Sequence, residues 1–448
     1  MGSLLMPKEG DVMVDRDRGR EYKLKTAPSK KKRDQDDDNG NRIYVVEKAV
    51  DENGKEFFLK FTHLHNGDDI CITCLEREAR FRFSYPYLMC IVDDFEGYLK
   101  DVDDPDNNFK CVRSKRIEGE SLTQFAKRLA KEREEGRLTQ EDYDRIVFRQ
   151  ITEILYGVNY YVNSGLEKHD VFLHRDIKPD NVIIRTNNRD AVLVDFDASH
   201  IAGSTDTQTM GPERGHGLVG TPGYTDPRIE EHNGKDYKSG IQADLYALGR
   251  TIFYWLDGRH YYQPEMDRGC AVRSGYGMDP NRFRREAYKG ETYQGLRTIL
   301  EKMCGDDTMC YRSVWALIRD WEDYLDSYCG KDVAYQDYFD LNTMPLLQNR
   351  TRQDTQGRFQ VTYQYNREER SRGGPFRNHS MTDINDPKGS PVIIIYVLDG
   401  AVYYIPLRDG LRREPPRGRD GEENDYTVRD GDTFRLNDLT ITFDVRPI

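Results

Sequence analysis

The first third of the chain alternates short apolar stretches with polar turns, a pattern typical of β-strands. A hairpin signal at 51–55 joins two of these stretches, and one helix is expected at 76–83, ending before Pro86. The predicted strands are 21–26, 43–50, 56–62, 88–94 and 109–114. Strands interrupted by a single helix predict a small lobe built on an antiparallel sheet.

From Ser121 the apolar residues follow the helical period, and several segments are amphipathic. The predicted helices are 121–134, 140–163, 244–256, 292–303 and 313–325. Glycine- and arginine-rich sequence then interrupts the period, and from Pro391 the chain alternates like strands again. The pattern predicts an α+β protein in four parts: a flexible segment 1–20, a first domain 21–326, a linker 327–375 and a small β-rich module 376–448.

Composition narrows the class of protein. The 448 residues are 37% hydrophobic and 11% aromatic, which is enough for packed cores and suggests two or three domains. The net charge of −12 argues against binding of nucleic acid or anionic membranes through bulk charge. A lone Cys71–Cys74 pair without a second pair at ligand spacing does not favour zinc.

The start of the chain does not predict a secretory signal. The first residues contain no apolar run of signal-peptide length, and Met6 stands where a myristoylation pattern needs serine or threonine. The apolar run Val392–Leu398 is too short to span a membrane. We therefore expect a soluble, cytoplasmic protein with no membrane span.

The segment His174–Ile184 contains Asp176, Lys178 and Asn181, and Asp195-Phe196-Asp197 follows an apolar strand. Phosphoryl transfer needs a carboxylate that orients the attacking hydroxyl, oxygen ligands for a metal ion, and a cation for the developing charge. These side chains supply all of those groups within one short unit. The segment resembles the catalytic loop and metal-binding motif of the eukaryotic-type serine/threonine protein kinases.

This resemblance covers about residues 20–326 and implies a fold and a reaction. The implied fold is bilobal, with an antiparallel sheet and one helix in the N-lobe and a mainly helical C-lobe. The implied reaction transfers the γ-phosphate of ATP to a protein hydroxyl with Mg²⁺ as cofactor. In it Asp176 orients the hydroxyl, Lys178 stabilises the transferred group, and Asn181 and Asp195 bind the metal.

Further landmarks of the family occur in the expected order. Lys60, in a strand, resembles the lysine that holds the ATP phosphates, and Glu78 is placed on the next helix to pair with it. Lys115, Arg116 and Ile117 resemble the hinge that faces adenine through backbone groups.

Beyond the catalytic loop, Gly220–Pro227 resembles the end of an activation segment. Asp244 begins a segment like the central helix whose aspartate anchors the catalytic loop.

Two residues indicate a serine/threonine rather than a tyrosine kinase. Lys178 and Thr221 match that pattern, and the resemblance implies that Thr221 contacts Asp176 and Lys178. Arg175 implies a basic pocket for a phosphorylated residue of the activation loop. The candidate phosphorylation sites are Ser204, Thr205, Thr207 and Thr209.

The sequence departs from the family in the nucleotide-binding elements. The loop Ala27–Arg42 contains only Gly40, where the family has three glycines whose backbone approaches the phosphates. Asp197 replaces the glycine of the metal-binding motif.

A third departure follows the activation segment. Asp226-Pro227-Arg228 stands in place of Ala-Pro-Glu, so we expect Arg228 to repel Arg312 and Glu230 or Glu231 to pair with Arg312.

The C-terminal strands carry a weaker resemblance. Tyr426–Leu436 is similar to the last strands of forkhead-associated phosphothreonine readers, although the recognition residues of that family are not evident. The resemblance implies a phosphopeptide as a partner in addition to the protein substrate.

Two other functions stay open at this point. A pseudokinase scaffold would account for the glycine-poor loop and for Asp197. A small-molecule kinase uses a similar set of catalytic groups, but such enzymes generally lack a segment like Gly220–Pro227, which builds a platform for protein substrates.

Overall fold

The structure is a computed structural model that describes most of the chain. The described ranges are 6–30, 43–64, 70–102, 107–168, 170–202, 221–231, 240–261, 275–306, 309–311, 314–342, 358–366, 372–377, 381–387, 391–398, 401–408, 410–414 and 426–447.

The described part of the N-terminal lobe consists of one sheet and one helix. Its strands are β1 (Val12–Asp15), β2 (Glu21–Leu24), β3 (Ser29–Lys30), β4 (Tyr44–Asp51), β5 (Glu56–His63), β6 (Ile91–Leu99) and β7 (Phe109–Lys115). The helix α1 (Ile70–Arg80) lies between β5 and β6 in the chain. All strand pairs are antiparallel, in the order β2-β1-β6-β7-β5-β4-β3.

The sheet closes on itself. β2 also pairs with β4, so six strands form a ring and enclose a small barrel. The rings of Tyr22, Phe57 and Phe95 meet inside, with centroids 6.2 and 5.4 Å from that of Tyr22. Arg113 lies over the rings of Tyr22 and Phe57 and forms a buried, two-point ion pair with Asp93. The interior is therefore filled by side chains.

The prediction of a flexible segment at 1–20 is wrong for Val12–Asp15. These residues form β1, which pairs with β2 on one side and β6 on the other. Met13 is fully buried in the barrel, where its sulfur lies 3.2 Å from that of Cys111. Burial of two apolar side chains, Met13 and Val14, and pairing of the backbone on both sides order this short strand.

The C-terminal lobe is mainly helical. Its helices are α2 (Leu122–Glu134), α3 (Gln140–Asn163), α4 (Pro227–Glu231), α5 (Ile241–Asp257), α6 (Gln294–Met303), α7 (Val314–Cys329) and α8 (Tyr335–Tyr338). Its strands are β8 (Gly119–Ser121), β9 (Val171–Leu173), β10 (Val182–Arg185), β11 (Ala191–Leu193) and β12 (His200–Ala202). β10 lies between β11 and β8, and β9 pairs with β12. Helix α5 is buried along its whole length and forms the centre of the lobe.

The remaining described strands form two sheets. They are β13 (Arg358–Tyr365), β14 (Arg372–Arg377), β15 (Met381–Asn385), β16 (Pro391–Leu398), β17 (Ala401–Pro406), β18 (Arg412–Glu414), β19 (Thr433–Leu436) and β20 (Leu439–Pro447). One sheet has the order β14-β13-β20-β19-β18, and the other β15-β16-β17.

Strand β16 is buried on both faces. Ile393, Ile395 and Val397 belong to an apolar core that also contains side chains of the five-stranded sheet. Ile394 and Tyr396 instead join the core of the C-lobe. Because successive side chains of a strand point to opposite faces, one continuous apolar run supplies both cores.

The structure also differs from the predicted linker 327–375. Within it lie α8 and β13, and the ring of Phe339 packs 5.9 Å from that of Phe148 on α3. The alternation of Arg358–Tyr365 accounts for β13, which pairs with β20 over seven residues. The domain boundaries themselves stay a prediction. Among the described residues, no helix has both the length and the apolar character that a membrane span requires.

Candidate active site

The catalytic loop follows β9 and is fixed by helix α5. The two carboxylate oxygens of Asp244 accept hydrogen bonds from the backbone N–H groups of His174 and Arg175, both at 2.7 Å. The hydroxyl of Tyr161 donates to the same carboxylate at 2.7 Å. Arg175 has a φ of 64°, an uncommon conformation for a residue other than glycine, and the anchored backbone holds it there.

Asp176 lies at the centre of a compact polar cluster. Its Oδ1 accepts a hydrogen bond of 2.7 Å from the Thr221 hydroxyl, and Lys178 Nζ lies 2.9 Å from Oδ2. Lys178 Nζ also donates to the Thr221 hydroxyl at 2.8 Å. Asn181 Nδ2 donates to the carbonyl oxygen and to Oδ2 of Asp176. The structure thus brings Thr221, from a distant part of the chain, onto the catalytic loop.

A second cluster joins the two lobes. Lys60 Nζ, on β5, lies 2.6 and 2.8 Å from the carboxylate oxygens of Glu78 on α1. The same Nζ lies 2.6 Å from Oδ1 of Asp195. Lys60 and Glu78 are buried, so each charge depends on the other for compensation. This arrangement aligns the lysine with the catalytic loop.

Asp195 has a left-handed backbone, with φ 71° and ψ 70°. The next residue, Phe196, is fully buried, and its ring centroid lies 5.6 Å from that of Phe81 and 4.6 Å from that of His174. Asp197 follows within a short 3₁₀ helix, and it is not one of the residues with positive φ. This backbone does not require glycine at position 197, so the substitution fits without strain.

Asn181 and Asp195 are the predicted metal ligands. The backbone N–H of Val194 donates to the carbonyl of Asn181 at 2.9 Å, which brings the two segments together. Mg²⁺ takes oxygen ligands and commonly binds one or two protein side chains plus substrate phosphates. An amide oxygen and a carboxylate beside Lys60 fit that ion. Within the described residues no group of three or more His, Cys, Asp or Glu side chains could hold a metal.

Two buried arginines lie beside the catalytic loop. Arg175 is 8% exposed and Arg77, on α1, is 5% exposed. Burial, and next the Arg77 guanidinium, lower the pKa of Arg175 to about 10. Arg77 was missed by the sequence analysis, because its position next to Glu78 does not reveal which face of the helix it occupies. Arg175 Nε donates to the carbonyl oxygen of Ala198 at 2.9 Å.

The predicted hinge lies between β7 and β8. The backbone N–H of Lys115 donates to the carbonyl of Cys90 at 2.9 Å, and the Lys115 side chain is exposed. Arg116 forms ion pairs with Glu56 and Glu118. Ile117 is half-buried against the C-lobe core. Contact of this segment with adenine stays a prediction.

Arg228 has a partner that was not predicted from the sequence. It is buried and donates to both carboxylate oxygens of Asp226, with contacts of 2.6 to 3.0 Å. The departure Asp226-Pro227-Arg228 therefore carries a local ion pair of its own. Arg312 lies outside the described residues.

Other predicted features also fall outside the described residues. These are the four candidate phosphorylation sites, Ser204, Thr205, Thr207 and Thr209, and most of the glycine-poor loop, 31–42. The described part of that loop includes β3, which pairs Ser29 and Lys30 with β4.

Comparison with known proteins agrees with this geometry. Residues 45–275 match the family described as the protein kinase domain, and the chain belongs to that family. Serine/threonine-protein kinase PknA of Nostoc is 33% identical over 151 residues, which cover 34% of this chain and 23% of the relative. Serine/threonine-protein kinase D of Synechocystis is 34% identical over 106 residues, covering 24% and 19%. A putative serine/threonine-protein kinase, R436, of Acanthamoeba polyphaga mimivirus is 38% identical over 110 residues, covering 24% and 34%.

The chain thus spans at most about a third of the length of these relatives. The family confirms the bilobal kinase fold and the resemblance to serine/threonine kinases seen in the sequence. The resemblance of the C-terminal strands to forkhead-associated domains stays a prediction.

Proposed function

We propose that the protein transfers the γ-phosphate of ATP to serine or threonine hydroxyls of proteins, with Mg²⁺ as cofactor. The observation that carries the proposal is the hydroxyl of Thr221 bonded to both Asp176 and Lys178. This contact joins the segment that would receive a protein substrate to the groups that would act on its hydroxyl.

Each catalytic step is assigned to a described side chain. Asp176 accepts a hydrogen bond from the incoming hydroxyl and takes its proton as the bond to the γ-phosphorus forms and the bond from that phosphorus to the β-phosphate oxygen breaks, releasing ADP. Lys178 stabilises the negative charge on the transferred group. Lys60, held by Glu78, positions the nucleotide phosphates. Bound Mg²⁺, held by Asn181 and Asp195, would neutralise charge on the triphosphate.

Activity is tested by transfer of labelled phosphate from ATP with Mg²⁺ to a generic basic protein. We expect label on serine or threonine, and a loss of at least about 100-fold in the Asp176→Ala variant, since removal of one catalytic group costs that much. Asp326→Ala, an exposed position on α7, is the matched control and should stay at the wild-type rate.

The alternative is a pseudokinase scaffold. It would show no label transfer and no thermal shift with ATP and Mg²⁺. The contacts of Lys60 with Glu78 and Asp195 favour the enzyme, because a scaffold has no need to keep three charged groups together in a buried site.

A phosphate on the activation loop is part of the proposal. Its support is Arg175, a buried cation of the catalytic loop from which the sequence predicts a basic pocket. Mass spectrometry of active enzyme should find phosphate on Ser204, Thr205, Thr207 or Thr209. Fully active enzyme without phosphate at these positions would contradict this part.

Phosphopeptide binding by the C-terminal strands is supported by the resemblance at Tyr426–Leu436 alone. A phosphothreonine peptide library, with dephosphorylated peptides as the control, tests it directly. The cytoplasmic location likewise stays a prediction of the sequence.

A further inference from the structure

Asp383, on β15, lies at the amino end of helix α5. Its side chain is fully buried, and the backbone N–H of Gln242 donates to its Oδ2 at 3.4 Å. A Cβ atom at Gly240 would lie 2.0 Å from that oxygen. Gly240 has a φ of −106°, which any residue adopts, so the nearby carboxylate is what excludes a side chain there.

Helix α5 has no side-chain cap of its own. Gly240 occupies the N-cap position, and it has no side chain to accept a hydrogen bond from the first turn. The acidic residue of that turn, Asp244, is committed to the N–H groups of His174 and Arg175. The first N–H groups of a helix need hydrogen-bond acceptors, and negative charge is favourable beside them. The Asp383 carboxylate supplies an acceptor for the N–H of Gln242 and a negative charge at this end of α5.

Further contacts fix β15 and β16 against the C-lobe. Asn385 Nδ2 donates to Oε1 of Gln242 at 3.3 Å, and Arg228 Nη1 donates to the same oxygen at 3.2 Å. The Tyr396 hydroxyl donates to the carbonyl of Leu166 at 3.3 Å. The C-terminal strands therefore contact the chain just before the catalytic loop and just before Asp244.

The apolar face of the same sheet strengthens this attachment. Met381, Ile394 and Ile405 are buried in one continuous core with the residues of α5. A displacement of the sheet would therefore also disturb the packing around the first turn of that helix.

We propose that Asp383 is a positioning residue for the phosphoryl transfer, acting through the first turn of α5. Its carboxylate holds the turn that contains Asp244, and Asp244 holds the backbone of His174 and Arg175 next to Asp176. The C-terminal strands are thus a part of the catalytic unit. This inference rests on the proposed kinase activity.

The kinetic test uses the full chain with substitutions on both sides of the contact. We expect Asp383→Ala to lower kcat about three- to tenfold, the size of a lost helix cap or of coupling through a packed element. The KM for ATP should stay within about twofold, because Lys60 is held by Glu78 on α1 and by Asp195, which lie on other elements than α5. Asp383→Asn keeps the size and one acceptor oxygen, so it should lose less, and it carries the test if Asp383→Ala does not fold.

Gly240→Ala approaches the same contact from the helix. It should lower kcat as Asp383→Ala does, and the double variant should be no worse than either single variant, because both changes break one interaction. Asp438→Ala is the matched control, since this aspartate is exposed in the turn between β19 and β20. A double variant whose loss in kcat equals the product of the two single losses would overturn the proposal.

Hydrogen exchange supplies a readout that needs no activity. The amides of His174 and Arg175 should exchange faster in Asp383→Ala and in Gly240→Ala, and at the wild-type rate in Asp438→Ala. An active wild type whose Asp383 and Gly240 variants keep the wild-type kcat and exchange rates would overturn the positioning role. An inactive wild type with faster exchange in those variants would instead overturn only the proposed kinase activity.

Discussion

The Nζ atom of Lys60 lies 2.6 Å from Oε1 of Glu78, and both side chains are buried. Lys60→Met leaves Glu78 without this charge partner and removes the cation near the phosphates, so kcat should fall about 100-fold or more. Lys48, which pairs with Glu56 at a half-exposed position, is the control, and Lys48→Met should stay near the wild-type rate. Steady-state kinetics measure kcat of both variants. Equal losses of kcat would contradict the role of Lys60 in positioning the nucleotide phosphates.

The hydroxyl of Thr221 is the next test. Thr221→Val keeps the shape of the side chain and removes two hydrogen bonds, each of about 0.5 to 1.5 kcal/mol, so kcat should fall roughly tenfold. Thr221→Ser keeps the hydroxyl and should retain most of the activity. Both variants are compared by label transfer at saturating ATP. A valine variant as active as the serine variant would show that the hydroxyl has no catalytic part.

The strand β1 should stabilise the N-lobe through Met13. Met13→Ala should lower the free energy of unfolding by about 2 to 5 kcal/mol, because the side chain is fully buried in the barrel. Lys23→Ala, an exposed position on the adjacent strand β2, should change it little. Urea denaturation followed by fluorescence measures both. The prediction fails if the two variants unfold at the same urea concentration.

A buried carboxyl in the C-lobe should make stability depend on pH. Glu153 accepts a hydrogen bond from the N–H of Ala191 and contacts Arg149, but burial, and next the nearby Asp190, raise its pKa to about 8. Between its ordinary pKa near 4.5 and 8, the folded protein keeps a proton that the unfolded chain releases. This carboxyl therefore lowers stability as the pH rises through that window.

Glu153→Gln removes the titrating group and serves as the comparison. The difference in melting temperature, wild type minus variant, should decrease from pH 5 to pH 8. If the melting temperatures of the two proteins instead change in parallel with pH over this range, Glu153 is already ionised in the folded state.

The parts of the site predicted from the sequence are those in which chemistry fixes residue type and spacing. Asp176, Lys178 and Asn181 lie within one short loop, so their order alone indicates the reaction. The pairings of Lys60 with Glu78 and of Thr221 with Asp176 followed from the resemblance, and both contacts are present in the structure.

The features that were missed depend on tertiary contacts. Val12–Asp15 is too short to show a period, and its strand exists because two other strands bind it. Asp383 lies before Pro391, in sequence without a predicted strand, and only the fold places it against Gly240. Arg228 is a local case: it pairs with Asp226 two residues earlier, and its expected repulsion of Arg312 stays a prediction because Arg312 lies outside the described residues.

The closed N-lobe ring has a consequence for solubility. An open sheet leaves N–H and C=O groups free along its outer strands, and such edges pair readily with other chains. Here β1 covers the sides of both β2 and β6 that an open sheet would leave unpaired. Loss of Val12–Asp15, by truncation or proteolysis, would leave one edge of β2 and one edge of β6 unpaired. Such a fragment is therefore expected to aggregate.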